Sequence, residues 1–171
     1  GFLAKFDTNG IRQWGTYYGE FGTDEIYCLV IDSDEKIYIA GETNSPANIS
    51  TNGSFQPNLD SSNPGIFGIP NDGFIAKFNS NGVLEWGTYF GGGGSDAIFD
   101  SKIDSNGNII FLGFSTSTSN IATPGSFQDT KTDIDGDGFL VKFDSSGNRI
   151  WGTYFGGEST DLFLKLGIDS N

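Results

Sequence analysis

Along "GFLAKF", Phe2, Ala4 and Phe6 fall on one side and Leu3 and Lys5 on the other, the two-residue alternation of a β-strand. The same pattern returns as Phe74, Ala76 and Phe78 in "GFIAKF" and as Phe139, Val141 and Phe143 in "GFLVKF". Each run is followed by a turn phrase, "DTNG", "NSNG" or "DSSG", with an Asx residue first and Gly last. That chemistry suits a hairpin loop ending in a left-handed residue. A second strand follows: Trp14, Thr16 and Tyr18 face one way and Gly15 and Tyr17 the other, with "WGTYF" again at 86 and 151. The runs "KIYIAG" and "NIIFLG" are almost continuously apolar, which predicts strands covered on both faces.

These phrases keep a period. "GFLAKFDTNGIRQWGTYYG", "GFIAKFNSNGVLEWGTYFG" and "GFLVKFDSSGNRIWGTYFG" start at 1, 73 and 138, a spacing of 72 and then 65 residues. "DEIYCLVID", "DAIFDSKID" and "DLFLKLGID" start at 24, 96 and 161 with the same spacing, and "GSFQ" recurs at 53 and 125. The unit has four strands, A ("DAIFDSKID"), B ("NIIFLG"), C ("GFLVKF") and D ("RIWGTYF"), with short turns from A to B and from C to D and a long Ser, Thr and Asn-rich loop from B to C. Four antiparallel strands repeated at a regular period predict an all-β, β-propeller type of architecture in which successive sheets share aromatic layers. The expected parts are strands C and D of a partial blade at 1–18, full blades at 24–90 and 96–155, and the first strand of a next blade at 161–171. Propellers close with about 4 to 8 blades, so these parts predict an excerpt of a longer parent chain, whose remaining blades would be its neighbours.

Composition narrows the function. A formal charge of −13 sets aside nucleic acid and anionic lipid as partners. No apolar run approaches the roughly 20 residues of a membrane-spanning helix. Without histidine, Ser-His, Cys-His and His-metal chemistry cannot be built from this chain. The single cysteine, Cys28, reads as a small core residue.

The candidate chemistry is sparse. "DIDGDG" places Asp133, Asp135 and Asp137 at alternate positions before Gly138, which resembles the start of a Ca²⁺-binding loop. Asp144 stands where a twelfth-position ligand would, but a strand over 139–143 would carry it about 20 Å away. Asp24, Asp96 and Asp161 precede strand A in every copy, and that repetition favours a hydrogen-bonded turn over a glycosidase carboxylate pair. Asp100 and Lys165 occupy equivalent positions in successive A strands and predict an ion pair between neighbouring sheets. Glu35 stands where the other turns carry glycine or its equivalent, which predicts strain or another loop type. The B-to-C loops are the place for recognition, with Phe55 and Phe127 of "GSFQ" tucked in as plugs.

Taken together, "DGFIAKFNSNGVLEWGTYFGGGGSDAIFDSKIDSNGNIIFLGFSTS" and "TPGSFQ" resemble the bacterial SBBP repeat, a seven-bladed β-propeller type found in large secreted and cell-surface proteins. The resemblance spans about two and a half copies, nearly the whole chain. It implies a propeller, an extracellular or cell-surface location, and no catalytic residues travelling with the repeat. The expected function is a non-enzymatic scaffold that contacts protein or surface glycan. The other readings are a Ca²⁺-dependent carbohydrate-binding module and a fragment of a polysaccharide hydrolase or lyase.

Overall fold

The computed structural model describes residues 1–62, 71–131 and 135–169. Its regular elements are strands: β1 (Phe2–Phe6), β2 (Arg12–Tyr17), β3 (Asp24–Ile31), β4 (Ile37–Thr43), β5 (Asp72–Phe78), β6 (Leu84–Phe90), β7 (Asp96–Ile103), β8 (Ile109–Ser115), β9 (Asp137–Phe143) and β10 (Arg149–Phe155). Sheet I pairs β1 with β2, sheet II runs β3-β4-β5-β6, and sheet III runs β7-β8-β9-β10. All neighbouring strands are antiparallel, in chain order. Residues 161–169, expected as a further strand A, form no strand. No described strand offers them a ladder; they are held instead by Asp161 N–H on the Gly136 carbonyl and Leu166 N–H on Asp100, at 2.8 and 2.9 Å.

The hairpin turns share one device. Asp7, Asp32, Asn79, Asp104 and Asp144 each turn Oδ1 onto the backbone N–H groups two and four residues on, at 2.8 to 3.0 Å. This Asx geometry satisfies donors that a tight loop would leave bare. The fourth residue takes a left-handed conformation: Gly10, Gly82, Gly107 and Gly147 have φ of 76 to 88°, and Glu35 is forced into the same region at 57°. Thus Glu35 keeps the loop type of its repeats and carries the strain of a side chain there.

Two cores follow from strand alternation. In β4, Ile37 and Ile39 join Phe74, Ala76 and Phe78 of β5 beneath Leu3 and Tyr18 of the first repeat. Tyr38, Ala40 and Ile75, on the opposite face, join Ile98, Ile109, Phe111, Phe139, Val141 and Phe143 of sheet III. Sheet II is therefore covered on both sides, as its nearly continuous apolar β4 requires. Each of these buried Ile and Phe side chains contributes roughly 1.5–3 kcal/mol by leaving water. Sheets II and III come closest along β7, beside β3 and β4.

The tryptophans link each sheet to the next. Trp14 Nε1 donates to the Ser80 carbonyl at 2.9 Å, and its ring covers Gly82, 2.7 Å from where a Cβ would stand. One repeat later Trp86 Nε1 donates to the Ser145 carbonyl at 3.2 Å and its ring covers Gly147. The aromatic closing the phrase does the same inside the core. Tyr18 packs on Phe74 and Phe78 with ring centroids 5.1 and 5.7 Å apart, and Phe90 on Phe139 and Phe143 at 5.2 and 5.9 Å. The "WGTYF" phrase is thus a connector between sheets.

Candidate functional site

The long loops after β4 and β8 run back along the last strand of their own sheet. Thr51 N–H bonds the Gly87 carbonyl and Tyr89 N–H the Gln56 carbonyl, at 2.9 and 3.2 Å; Thr123 with Gly152 and Tyr154 with Gln128 repeat this at 2.9 and 3.0 Å. The loop so covers the free edge of β6 or β10, an edge that would otherwise invite another strand. Ile49 and Ile121 plug the loop into the cores. The Ile49 carbonyl sits so close over Gly87 that a Cβ there would collide with it and would stand 2.5 Å from Tyr18 Oη.

Gln56 fastens the loop's far end. Its Oε1 accepts from Gly91 N–H at 2.9 Å, and its Nε2 donates to Asp72 Oδ2 at 2.7 Å, where Asp60 N–H also donates at 2.9 Å. Gln128 repeats the first bond to Gly156 N–H at 3.1 Å. This is the structural use of the recurring "GSFQ".

The aspartates before strand A form hydrogen-bonded turns. Asp24, Asp96 and Asp161 accept from the N–H of Glu20, Gly92 and Gly157 at 3.0, 2.9 and 2.7 Å. Asp96 also accepts from Ser117 Oγ at 2.8 Å, and Asp24 from Ser45 Oγ at 2.9 Å. Asp72 and Asp96 are fully buried, which removes them from contact with a polymeric substrate. Burial pushes the Asp72 carboxyl up to about 8 and the Asp96 carboxyl up to about 6.

Of the candidate Ca²⁺ ligands, Asp133 lies outside the described residues. Asp135 is exposed, and its carbonyl accepts from Lys131 Nζ. Asp137 is buried, opens β9, and turns its carboxylate against Gly156. Asp144 is occupied at the other end of β9, in its own turn. Among the described residues no three His, Cys, Asp or Glu side chains are grouped to hold a metal. Asp100 and Lys165 stand 3.9 Å apart, but Lys165 is exposed, so solvent screens the pair. Burial pushes the half-buried Cys28 thiol up to about 11, away from the reactive thiolate.

A cleft opens between the two loops at the outer margin of sheets II and III. It measures about 380 Å³ and is lined by Phe55, Gln56, Asn58, Asp60, Asn120 and Arg149 among others. Phe55 is only partly tucked in: its ring stacks on Phe90 at 6.2 Å and meets Phe143 edge-on at 5.6 Å. The Arg149 guanidinium lies over that ring, 4.7 Å from its centre, and Nη1 donates to the carbonyls of Asn120 and Ile121 at 2.7 and 3.2 Å. An aromatic ring, side-chain amides, one carboxylate and one fixed guanidinium suit many weak polar contacts with a hydroxyl-rich or peptide-like ligand. The sequence did not single out Arg149. Its one signal is positional, since aligned repeats read Arg12, Leu84 and Arg149.

No protein-family model matches this chain, and a search of curated proteins found no match.

Proposed function

We propose that the chain is a non-enzymatic, propeller-type repeat scaffold of the SBBP kind, working outside the cell or on its surface, with the cleft between its loops as a contact site for glycan. The recurring sheets of like order, joined by tryptophans in one direction and closest along their first strands, support the radial arrangement. The buried, hydrogen-bonded state of Asp72 and Asp96 supports the non-enzymatic reading, because a glycosidase needs two carboxyl groups reaching the substrate.

The observation that carries the ligand reading is the open cleft that sets the partly exposed Phe55 ring and the Arg149 guanidinium beside the side chains of Asn58, Asp60 and Asn120. Sugar hydroxyls suit the Asn58 and Asn120 amides and the Asp60 carboxylate of the lining, and an apolar sugar edge suits the part of the Phe55 ring left exposed. Calorimetric titration with a panel of neutral and acidic oligosaccharides tests it. Binding that weakens at least fivefold in Asn58→Ala, an exposed position whose side chain packs in neither core, is the expected result. Absence of binding across the panel at millimolar concentration would leave protein contact as the scaffold's role.

A further inference from the structure

Arg149 is a cation that the repeat does not require. Leu84 holds the same position in sheet II. The left-handed bend that Arg149 meets, Asn120 at φ 67°, has its copy in Asn48 at φ 61°, so the bend forms with or without an arginine in that place. Charge pairing sets Arg149 apart as well. Lys36 and Lys77 meet Glu85, and Lys142 meets Asp104. Arg149 is half-buried and meets no carboxylate among the described residues, although the chain carries 22 acidic side chains to draw on. Burial alone draws its pKa below the ordinary value, with no neighbouring carboxylate to restore it.

The guanidinium is nonetheless fixed in place. Nη1 donates to the carbonyls of Asn120 and Ile121, and the group lies over the Phe55 ring. Nε and Nη2 make no hydrogen bond to a described residue. That edge of the fork presents two parallel N–H groups, the geometry that takes both oxygens of a carboxylate. With Nη1 already held, little side-chain freedom remains to be lost on binding. Asn58 and Asn120 add neutral amides to the cleft, and Asp60 is the one carboxylate of its described lining. Asp60 turns Oδ1 to the Ser62 N–H at 3.0 Å and leaves Oδ2 without a described partner. A carboxylate there accepts from a sugar hydroxyl and resists a second negative charge on the ligand.

We infer that the cleft selects a sugar bearing one carboxylate, a uronic acid, with its acid group on the Nε–Nη2 edge of Arg149 and its ring hydroxyls on Asp60 and the amides, a preference that rests on the cleft being the glycan site described above. The net charge of −13 does not oppose this contact, because charges beyond about 8 Å are largely screened at physiological salt while a pair in a half-buried cleft is not. A polymer charged on every ring meets the repulsion many times over, so the fitting ligand is an occasional uronic acid in a mostly neutral glycan.

NMR titration with two disaccharides tests this, one ending in glucuronic acid and the other its methyl ester, alike in shape and differing by one negative charge. The acid is expected to bind about tenfold more tightly than the ester, and Arg149→Gln to bring the two within about twofold of each other. Arg149→Lys keeps the charge without the fork and is expected to retain only part of the preference. An arginine that only braces the loop would weaken both sugars alike when replaced and leave their ratio as it was, which overturns the inference. Equal affinities of the native chain for acid and ester overturn it while the glycan reading stands; binding of neither overturns both. An acidic dipeptide that binds as tightly as the acid sugar also overturns it, because the cleft then reads a carboxylate and not a sugar. Should a variant fail to fold, the Arg149 Nε–H resonance of the native chain decides. It moves on addition of the acid and not of the ester, and equal movement with both contradicts the contact at the fork.

Discussion

Asp72 and Asp96 converge on Gly91, their Oδ1 and Oδ2 lying 2.7 and 2.5 Å from the point where a Cβ on that glycine would stand. Asp72 Oδ1 is buried without a hydrogen-bond partner. Burial pushes Asp72 up to about 8, with the charges of Asp96 and Asp60 adding to it against hydrogen bonds from the Asp60 N–H and Gln56. Burial likewise pushes Asp96 up to about 6.

The sign of the pH dependence follows. Below about pH 4 folded and unfolded chains both hold these protons, and neither group affects stability. Between about pH 4 and about 8 the unfolded chain releases the Asp72 proton while the folded chain keeps it, so stability falls as pH rises; Asp96 adds to the fall up to about 6. At the acid end, burial of Asp104 is outweighed by Lys142 and Asn108, and that of Asp144 by Asn148 and turn N–H groups, leaving both carboxyls below their ordinary value. Their stabilisation is lost below about pH 4. Urea midpoints measured from pH 3 to pH 9 are expected to peak near about pH 4 to 5 and decline to about 8, with Asp72→Asn flattening the decline above about 6. A profile that rises from pH 5 to pH 8 contradicts this placement of the pair.

Much of this was legible in the sequence. The alternation in "GFIAKF", the continuous apolar "KIYIAG" and the Asx-to-Gly turns carried local physics strong enough to fix strand type, order and pairing. What the loops do was not legible, because their bonds to β6 and β10 join backbone groups to each other or to the hydroxyls of Thr51, Thr88, Thr123 and Thr153, and only the fold brings those partners together. Gln56 and Gln128 were visible as repeats, yet only the fold brings them beside Gly91 and Gly156. Residues 161–169 show the limit from the other side: a strand pattern does not make a strand where no ladder partner lies alongside.

Close approach rather than turn geometry makes Gly87 irreplaceable. Gly87→Ala sets a methyl against the Ile49 carbonyl and Tyr18 Oη, and either the loop or sheet I must shift. The expected cost is about 1–3 kcal/mol in urea unfolding. Gly167→Ala, with nothing within 4 Å of its would-be Cβ, is the control and stays within about 0.5 kcal/mol of the native chain. Equal effects at the two positions would argue that the loop does not rest on β6.

Glu35 offers a gain of stability. Its φ of 57° strains a side chain that its repeats avoid with glycine, and its ion pair with Lys5 at 3.8 Å is exposed on both sides. Replacing it, Glu35→Gly, is expected to raise stability by about 1 kcal/mol. A loss of that size would mean that the exposed pair outweighs the backbone term.

Calcium is expected to leave the fold unchanged. Asp137 faces Gly156 and Asp135 faces solvent, so the two do not form a preassembled ligand set. Melting curves with added Ca²⁺ and with chelator should superimpose; a rise in midpoint that tracks Ca²⁺ concentration would support the metal-dependent reading.

Sheets I and II each lay a tryptophan across the turn glycine of the sheet that follows. Proton NMR of the dilute chain measures this directly, through ring-current shifts and cross-relaxation at the turn glycines. Gly82 and Gly147 are predicted to move upfield and to show close contacts with the indoles of Trp14 and Trp86, while Gly10 keeps the shift of an uncovered turn. If Gly82 and Gly147 resonate with Gly10 and show no indole contact, the sheets are not stacked in this way.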